Sequence, residues 1–200
     1  MVKQGEEHEV RVSGVILAGG RGRRMGGADK GWIELDGKPL VRRVLDRFAP
    51  QVDEVLISAN RNLERYAALG ARVIQDALPH FAGPLAGLHA ASTAARFDLV
   101  ATVPCDSPLL PLDLVARLAE ALAKSNADVA VVRASGRIHP VFLLCRKHVL
   151  GRLHNDIAAG GKRLQEWVQR TSHVVVDFED ERAFCNVNEP ADLAKLMRPH

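Results

Sequence analysis

The segment Leu17-Ala18-Gly19-Gly20-Arg21-Gly22-Arg23-Arg24-Met25-Gly26-Gly27-Ala28-Asp29-Lys30 has the residue types that bind phosphate. Its five glycines allow the backbone to approach a ligand closely, with N–H groups exposed to cradle phosphate oxygens. Arg21, Arg23, Arg24 and Lys30 add positive charge. The P-loop pattern fails because Lys30 is followed by Gly31, and G-x-G-x-x-G fails because Met25 stands where its third glycine belongs. A phosphate-binding loop of another kind remains.

Asp106 follows the apolar run Leu99 to Val103. A carboxylate there can hold Mg²⁺, which takes hard oxygen ligands and keeps waters and substrate phosphates. It can equally cap a turn before Pro108. Asp76 is the next acidic candidate, in competition with a plain loop carboxylate near Pro79. Gly160-Gly161-Lys162-Arg163 is a second glycine-plus-cation segment, and its Arg163 suits an acceptor phosphate as well as a solvated turn. Asn186 and Asn188 can contact an acceptor or complete a metal site, and Asn188 is also a good helix N-cap. His139 and His148 lack the i, i+4 partner of a zinc helix, so no zinc site is expected. Cys105 has no base near it in sequence and reads as a packing residue.

The elements that must position these groups alternate between strand and helix. Val15-Ile16-Leu17 is a buried strand that ends at the glycine loop, and Trp32 to Leu35 reads as a second short strand closed by Asp36-Gly37. Pro39 opens a helix carrying Leu40, Val41, Val44, Leu45 and Phe48 at helical spacing, with Pro50 near its end. Val55-Leu56-Ile57 is a strand, Leu63 to Leu69 a helix closed by Gly70, and Val73-Ile74 a strand. Leu85 to Ala95 and Leu112 to Lys124 are helices flanking the strand Leu99 to Val103. Val129 to Val132 and Val141 to Leu144 are strands close enough to pair antiparallel. A helical region from about Val149 to Arg170, a strand at Val174 to Val176 and a final helix after Asn188 complete the chain. The pattern predicts an α/β fold: a mostly parallel mixed sheet with helices on both faces.

With 200 residues and 47% apolar side chains, one domain over 12–200 is expected after a polar, disordered tail at 1–11. Cys105, Cys145 and Cys185 form no CxxC pair and are odd in number, which favours reduced thiols and a cytoplasmic protein. No signal peptide or membrane span is expected. A net charge of +3 suits a phosphate cleft, and with so few aromatics it gives no case for nucleic acid.

The glycine segment resembles the signature of the molybdenum cofactor guanylyltransferases, the MobA family, within the Rossmann-like nucleotidyltransferases. Asp36-Gly37-Lys38-Pro39-Leu40, Ala59-Asn60-Arg61, Gly83-Pro84-Leu85-Ala86-Gly87, Pro104-Cys105-Asp106 and Asn186-Val187-Asn188 are similar to the family at corresponding places. Ser58 stands where members often have Asn. The resemblance implies transfer of GMP from GTP to the terminal phosphate of Mo-molybdopterin, with release of pyrophosphate. It implies that Asp106 ligates Mg²⁺ and that Asp76 contacts the nucleotide. In this reading the backbone of Leu17, Ala18, Gly19 and Gly20 holds the nucleotide, and Arg24 and Lys30 offset triphosphate charge. Arg163, Asn186 and Asn188 face the acceptor, with transient contact to cofactor-synthesis or acceptor proteins. The residues alone leave open CTP, a sugar-phosphate acceptor, and a nucleotide-binding regulator without turnover.

Overall fold

In the computed structural model, the described residues are 10–19, 29–76, 83–158, 163–187 and 192. Strand β1 (Val12–Leu17) alternates its side chains between two packed faces: Val12 and Ile16 enter one core, Val15 the other. A strand covered on both sides reads as a near-continuous apolar run, and this accounts for 15–17. Helix α1 (Leu40–Phe48) buries Leu40, Val41, Val44, Leu45 and Phe48, and β4 (Glu54–Ser58) follows. After α2 (Leu63–Ala67) comes β5 (Arg72–Ile74); Gly70 between them has φ 87°. Helix α3 (Pro84–Ala94) leads to β6 (Leu99–Pro104), and α4 (Leu114–Ala123) to β7 (Val129–Ala134). β8 (Arg137–Arg146) returns through Ser135-Gly136, both at positive φ as a tight hairpin turn requires. Helices α5 (Lys147–Leu150), α6 (Leu153–Ala158) and α7 (Leu164–Arg170) precede β9 (His173–Phe178).

The main sheet has seven strands in the order β5-β4-β1-β6-β8-β7-β9. β8 runs antiparallel to β6 and β7, and the other pairings are parallel. One core holds Val41, Val44, Phe48, Tyr66, Leu114 and Leu118 from α1, α2 and α4. The second holds Leu85, Leu88, Val149, Leu153, Leu164 and Trp167 from α3 and α5 to α7. The expected layers are therefore present, with helices on both faces. After β1 the chain adds β4 and β5 on one side, then crosses by α3 to place β6 on the other. β1 and β6 flank this switch point, where the loops leaving the carboxyl ends of neighbouring strands diverge and open a crevice.

Several boundaries differ from the sequence reading. Trp32 does not begin a strand: Lys30–Trp32 is a 3₁₀ turn, because the Asp29 carboxylate accepts from Gly31 N and bends the chain. Only β2 (Glu34–Leu35) is extended, pairing with β3 (Lys38–Pro39) across Asp36-Gly37. The helix expected from Leu112 starts at Leu114, and Leu112 lies exposed in the preceding turn. The helical region expected from Val149 to Arg170 starts at Lys147 and, among the described residues, is divided into the short helices α5, α6 and α7. The loop through Pro79 and the helix start at Asn188 and Pro190 lie outside the described residues, as does the tail apart from Val10 and Arg11. Among the described residues no helix is long and apolar enough to cross a membrane.

Candidate active site

The three loops leaving β1, β4 and β6 are tied together one step beyond their strands. Ala18 N donates to Ser58 O at 2.8 Å, Ala59 N to Ile74 O at 3.0 Å, and Cys105 N to Leu17 O at 3.1 Å. Leu17, Ala18 and Gly19 thus leave the sheet between Ser58 on one side and Cys105-Asp106 on the other. This is the crevice at the switch point.

Asp106 is 6% exposed, and its Oδ2 lies 3.2 Å from Lys30 Nζ. Burial pushes its carboxyl above the usual carboxylate range, while the Lys30 charge and hydrogen bond pull it back. A buried carboxylate that carries a desolvation penalty is stabilised by any further cation placed against it. Asp106 O accepts from Val187 N at 2.8 Å, and Ser107 Oγ donates to Asn186 Oδ1 at 2.9 Å. The far end of the chain is thereby fastened to the turn that carries the carboxylate. Asn186, chosen from sequence, is brought to Asp106 through Ser107. Among the described residues no three His, Cys, Asp or Glu side chains converge on one point. A lone protein carboxylate beside a phosphate loop fits a hard cation that keeps waters and substrate phosphates, as Mg²⁺ does.

Asp76 lies on the β4–β5 side of the crevice. Its Oδ2 accepts from Asn60 Nδ2 at 2.7 Å and its Oδ1 from Ser58 Oγ at 3.4 Å, while Asp76 N donates to Asn60 Oδ1 at 3.0 Å. Burial raises the Asp76 carboxyl, opposed by the hydrogen bonds from Asn60 and Ser58. A Cβ on Gly19 would stand 3.4 Å from Asn60 Nδ2 and 3.6 Å from Asp76 Oδ2, so Gly19 lies directly against this cluster. Ser58, shorter than the Asn frequent in the family, still reaches Asp76. A Cβ on Gly87 would meet Leu17 Cδ2 at 2.6 Å and Ser58 Oγ at 2.7 Å. The Gly83 to Gly87 segment thus brings α3 hard against the crevice floor.

Sequence reasoning gave no role to three groups beside Lys30. Asp29 Oδ1 accepts from Tyr66 OH at 2.7 Å and from Gly31 N at 3.3 Å, and its Oδ2 from Asn62 Nδ2 at 2.9 Å. Asn60, in sequence only part of a motif, fixes Asp76 with its side-chain amide, which bonds both the carboxylate and the backbone N–H of Asp76. Asp29 and Asn60 lie within the matched segments and Asn62 next to one, whereas Tyr66 carries no such signal.

Other candidates lie elsewhere. Arg163 is 80% exposed, 4.0 Å from Glu166, on the wall of a groove of roughly 380 Å³ shared with Arg152, Trp167 and Arg170. That groove is lined by neither Lys30 nor Asp106. Gly20, Arg24, Asn188 and the segment 160–162 lie outside the described residues. Cys105 is buried, and burial with the Asp106 charge raises its thiol far from the reactive thiolate form. His139 packs against Phe142 and Phe184, with ring centroids 6.3 and 5.5 Å away, and His148 pairs with Asp128 at 3.3 Å.

The profile of the MobA-like NTP transferase domain matches residues 14–174. A Burkholderia lata protein named molybdenum cofactor guanylyltransferase is 49% identical over 196 residues, 94% of this chain and 96% of that one. The crystal structure of molybdopterin-guanine dinucleotide biosynthesis protein A from Archaeoglobus fulgidus superposes with a TM-score of 0.75 at 24% identity, covering 92% of this chain and 96% of that one. A Mycobacterium tuberculosis protein solved in complex with manganese superposes with a TM-score of 0.69 at 18% identity, covering 94% and 98%. At those identities the two structures speak for the fold.

Proposed function

From the premise that this chain belongs to the MobA-like NTP transferase family, we propose that it transfers GMP from GTP to the terminal phosphate of Mo-molybdopterin. The products are the guanine dinucleotide cofactor and pyrophosphate. The observation that carries the reading is buried Asp106 paired with Lys30, 3.2 Å apart, beside the backbone of Leu17 to Gly19 at the switch point.

The acceptor's terminal phosphate is anionic near neutral pH and attacks the α-phosphorus of GTP in line, so no general base is needed. The protein positions the two reactants and offsets charge that develops on the triphosphate. The backbone around Leu17, Ala18, Gly19 and Gly20 holds the nucleotide, and Asp76, set by Asn60 and Ser58, contacts it. Lys30, with Arg24, stabilises the leaving pyrophosphate. Asp106 holds a divalent cation, read as Mg²⁺, which supplies Lewis-acid charge neutralisation when bound. Arg163, Asn186 and Asn188 face the acceptor. Residues 12–200 act as one transferase domain behind the tail 1–11, working in the cytoplasm with passing contacts to proteins that supply or accept the cofactor.

The test is pyrophosphate release from each of the four nucleoside triphosphates with Mg²⁺ and Mo-molybdopterin, alongside Asp106→Ala. Activity confined to GTP and lost in the variant is expected. Activity with CTP alone would keep the mechanism and overturn the base assignment. Mg²⁺-dependent binding without pyrophosphate release for any nucleotide would favour a regulator.

A further inference from the structure

Lys30 joins two parts of the fold that are 76 residues apart in sequence. Its amine reaches Asp106 after β6, while its backbone is anchored to α2 on the other side of the crevice. Both neighbours of Lys30 take part in that anchor. The Asp29 carboxylate accepts three hydrogen bonds, from Tyr66 OH, Asn62 Nδ2 and Gly31 N, at 2.7 to 3.3 Å. A Cβ on Gly31 would stand 2.5 Å from the Tyr66 oxygen, so the chain here has no room to slide. Tyr66 is fully buried and packs on Trp32, with ring centroids 5.1 Å apart, and the Arg65 guanidinium lies 4.0 Å over Trp32. Asn62 takes a left-handed φ of 51° immediately before α2, which sets the direction of its amide.

A lysine is a point charge on a flexible stem, and the entropy of holding it in place opposes its use as a fixed electrostatic group. An anchor on both flanking residues limits where the ammonium can go. We infer that Tyr66 and Asn62 are positioning residues for nucleotidyl transfer, acting through Asp29 to hold the Lys30 ammonium against Asp106. This rests on the reading of Lys30 and Asp106 as active-site groups. A cluster that merely closed α2 onto the sheet would affect stability, and its effect on activity would not depend on Lys30.

Two variants separate these roles. Tyr66→Phe removes one hydroxyl and keeps the ring against Trp32. Asn62→Gly removes the amide and tolerates the left-handed backbone, and since Asn62 is exposed it leaves the core intact should Tyr66→Phe fail to fold. Each is made in the wild type and in Lys30→Met, and kcat and KM for pyrophosphate release are measured with GTP, Mg²⁺ and Mo-molybdopterin. Each should lower kcat about tenfold in the wild type, as expected for losing a hydrogen bond to a charged group, with the KM for GTP within about twofold. In Lys30→Met the further loss should be under about twofold, since coupled residues are not additive. Equal losses in both backgrounds, or no loss in the wild type, would overturn the inference.

A second readout needs no turnover. Acetic anhydride labelling of the metal-free protein compares Lys30 with Lys124, whose side chain is 72% exposed against 27% for Lys30. Labelling of Lys30 relative to Lys124 should rise several-fold in both variants as the ammonium leaves Asp106; an unchanged ratio would also overturn the inference. Wild-type activity in Lys30→Met would instead remove the premise about the active site, and the labelling result would still stand.

Discussion

Gly87→Ala measures how closely α3 must approach the floor of the crevice. Ordinary contact between carbon atoms lies at about 3.5 to 4.0 Å. The added methyl would sit 2.6 Å from Leu17 Cδ2, 2.7 Å from Ser58 Oγ and 3.3 Å from Ser58 Cβ. The first two atoms are side-chain ends, so they can turn aside; Ser58 Cβ is fixed to β4 and cannot. Overpacking of this size costs about 1–3 kcal/mol. Alanine returns at most about 1 kcal/mol through its better helix propensity. The clash should prevail by about 1 kcal/mol, lowering Tm by about 2–4 °C in a chain of this length. Turning Ser58 aside also breaks its 3.4 Å hydrogen bond to Asp76 and shifts Leu17, so the KM for GTP should rise about two- to tenfold. Calorimetry and steady-state pyrophosphate release check the two halves. A Tm higher by about 2–4 °C with an unchanged KM would refute the argument, because the propensity gain would then have been realised without a clash.

Three further outcomes follow from the same geometry. The folded protein raises the Asp106 carboxyl above its unfolded value of about 3.9, so it binds that proton more tightly than the unfolded chain does. Metal-free protein therefore loses stability as pH rises from about 4 through the raised value, and Asp106→Asn removes that loss. Urea unfolding with chelator at pH 4.5 and 7.5 should show the variant gaining on the wild type at the higher pH, and parallel behaviour would refute the sign. Asn186→Ala orphans the fully buried Ser107 hydroxyl, costing about 1–3 kcal/mol, whereas Asn186→Asp keeps an acceptor and most of the stability. An unchanged urea midpoint in the alanine variant would count against the 2.9 Å bond as a structural tie. Arg163→Ala should raise the KM for Mo-molybdopterin about tenfold and leave that for GTP unchanged. A matching rise for GTP would move Arg163 out of the acceptor role.

The sequence by itself determined the layers and the location of the chemistry. A strand buried on both faces carries a near-continuous apolar run, so Val15 to Leu17 declared itself, and the helical spacing of Leu40 to Phe48 declared α1. Glycines and cations directly after such a strand have few structural uses, so the nucleotide end was legible too. The finer arrangement was not, because it depends on partners distant along the chain. The 3₁₀ turn at Lys30–Trp32 replaces a strand because Asp29 bends the chain locally, and Asp29 is itself fixed by Tyr66, 37 residues away. Asp106 could have been a turn cap; its burial beside Lys30 exists only once β1 and β6 lie together at the switch point. Asn186 reaches that carboxylate through Ser107, a partner 79 residues back. Residue type fixed what each group can do, and the β1–β6 adjacency, which periodicity does not encode, decided which groups meet.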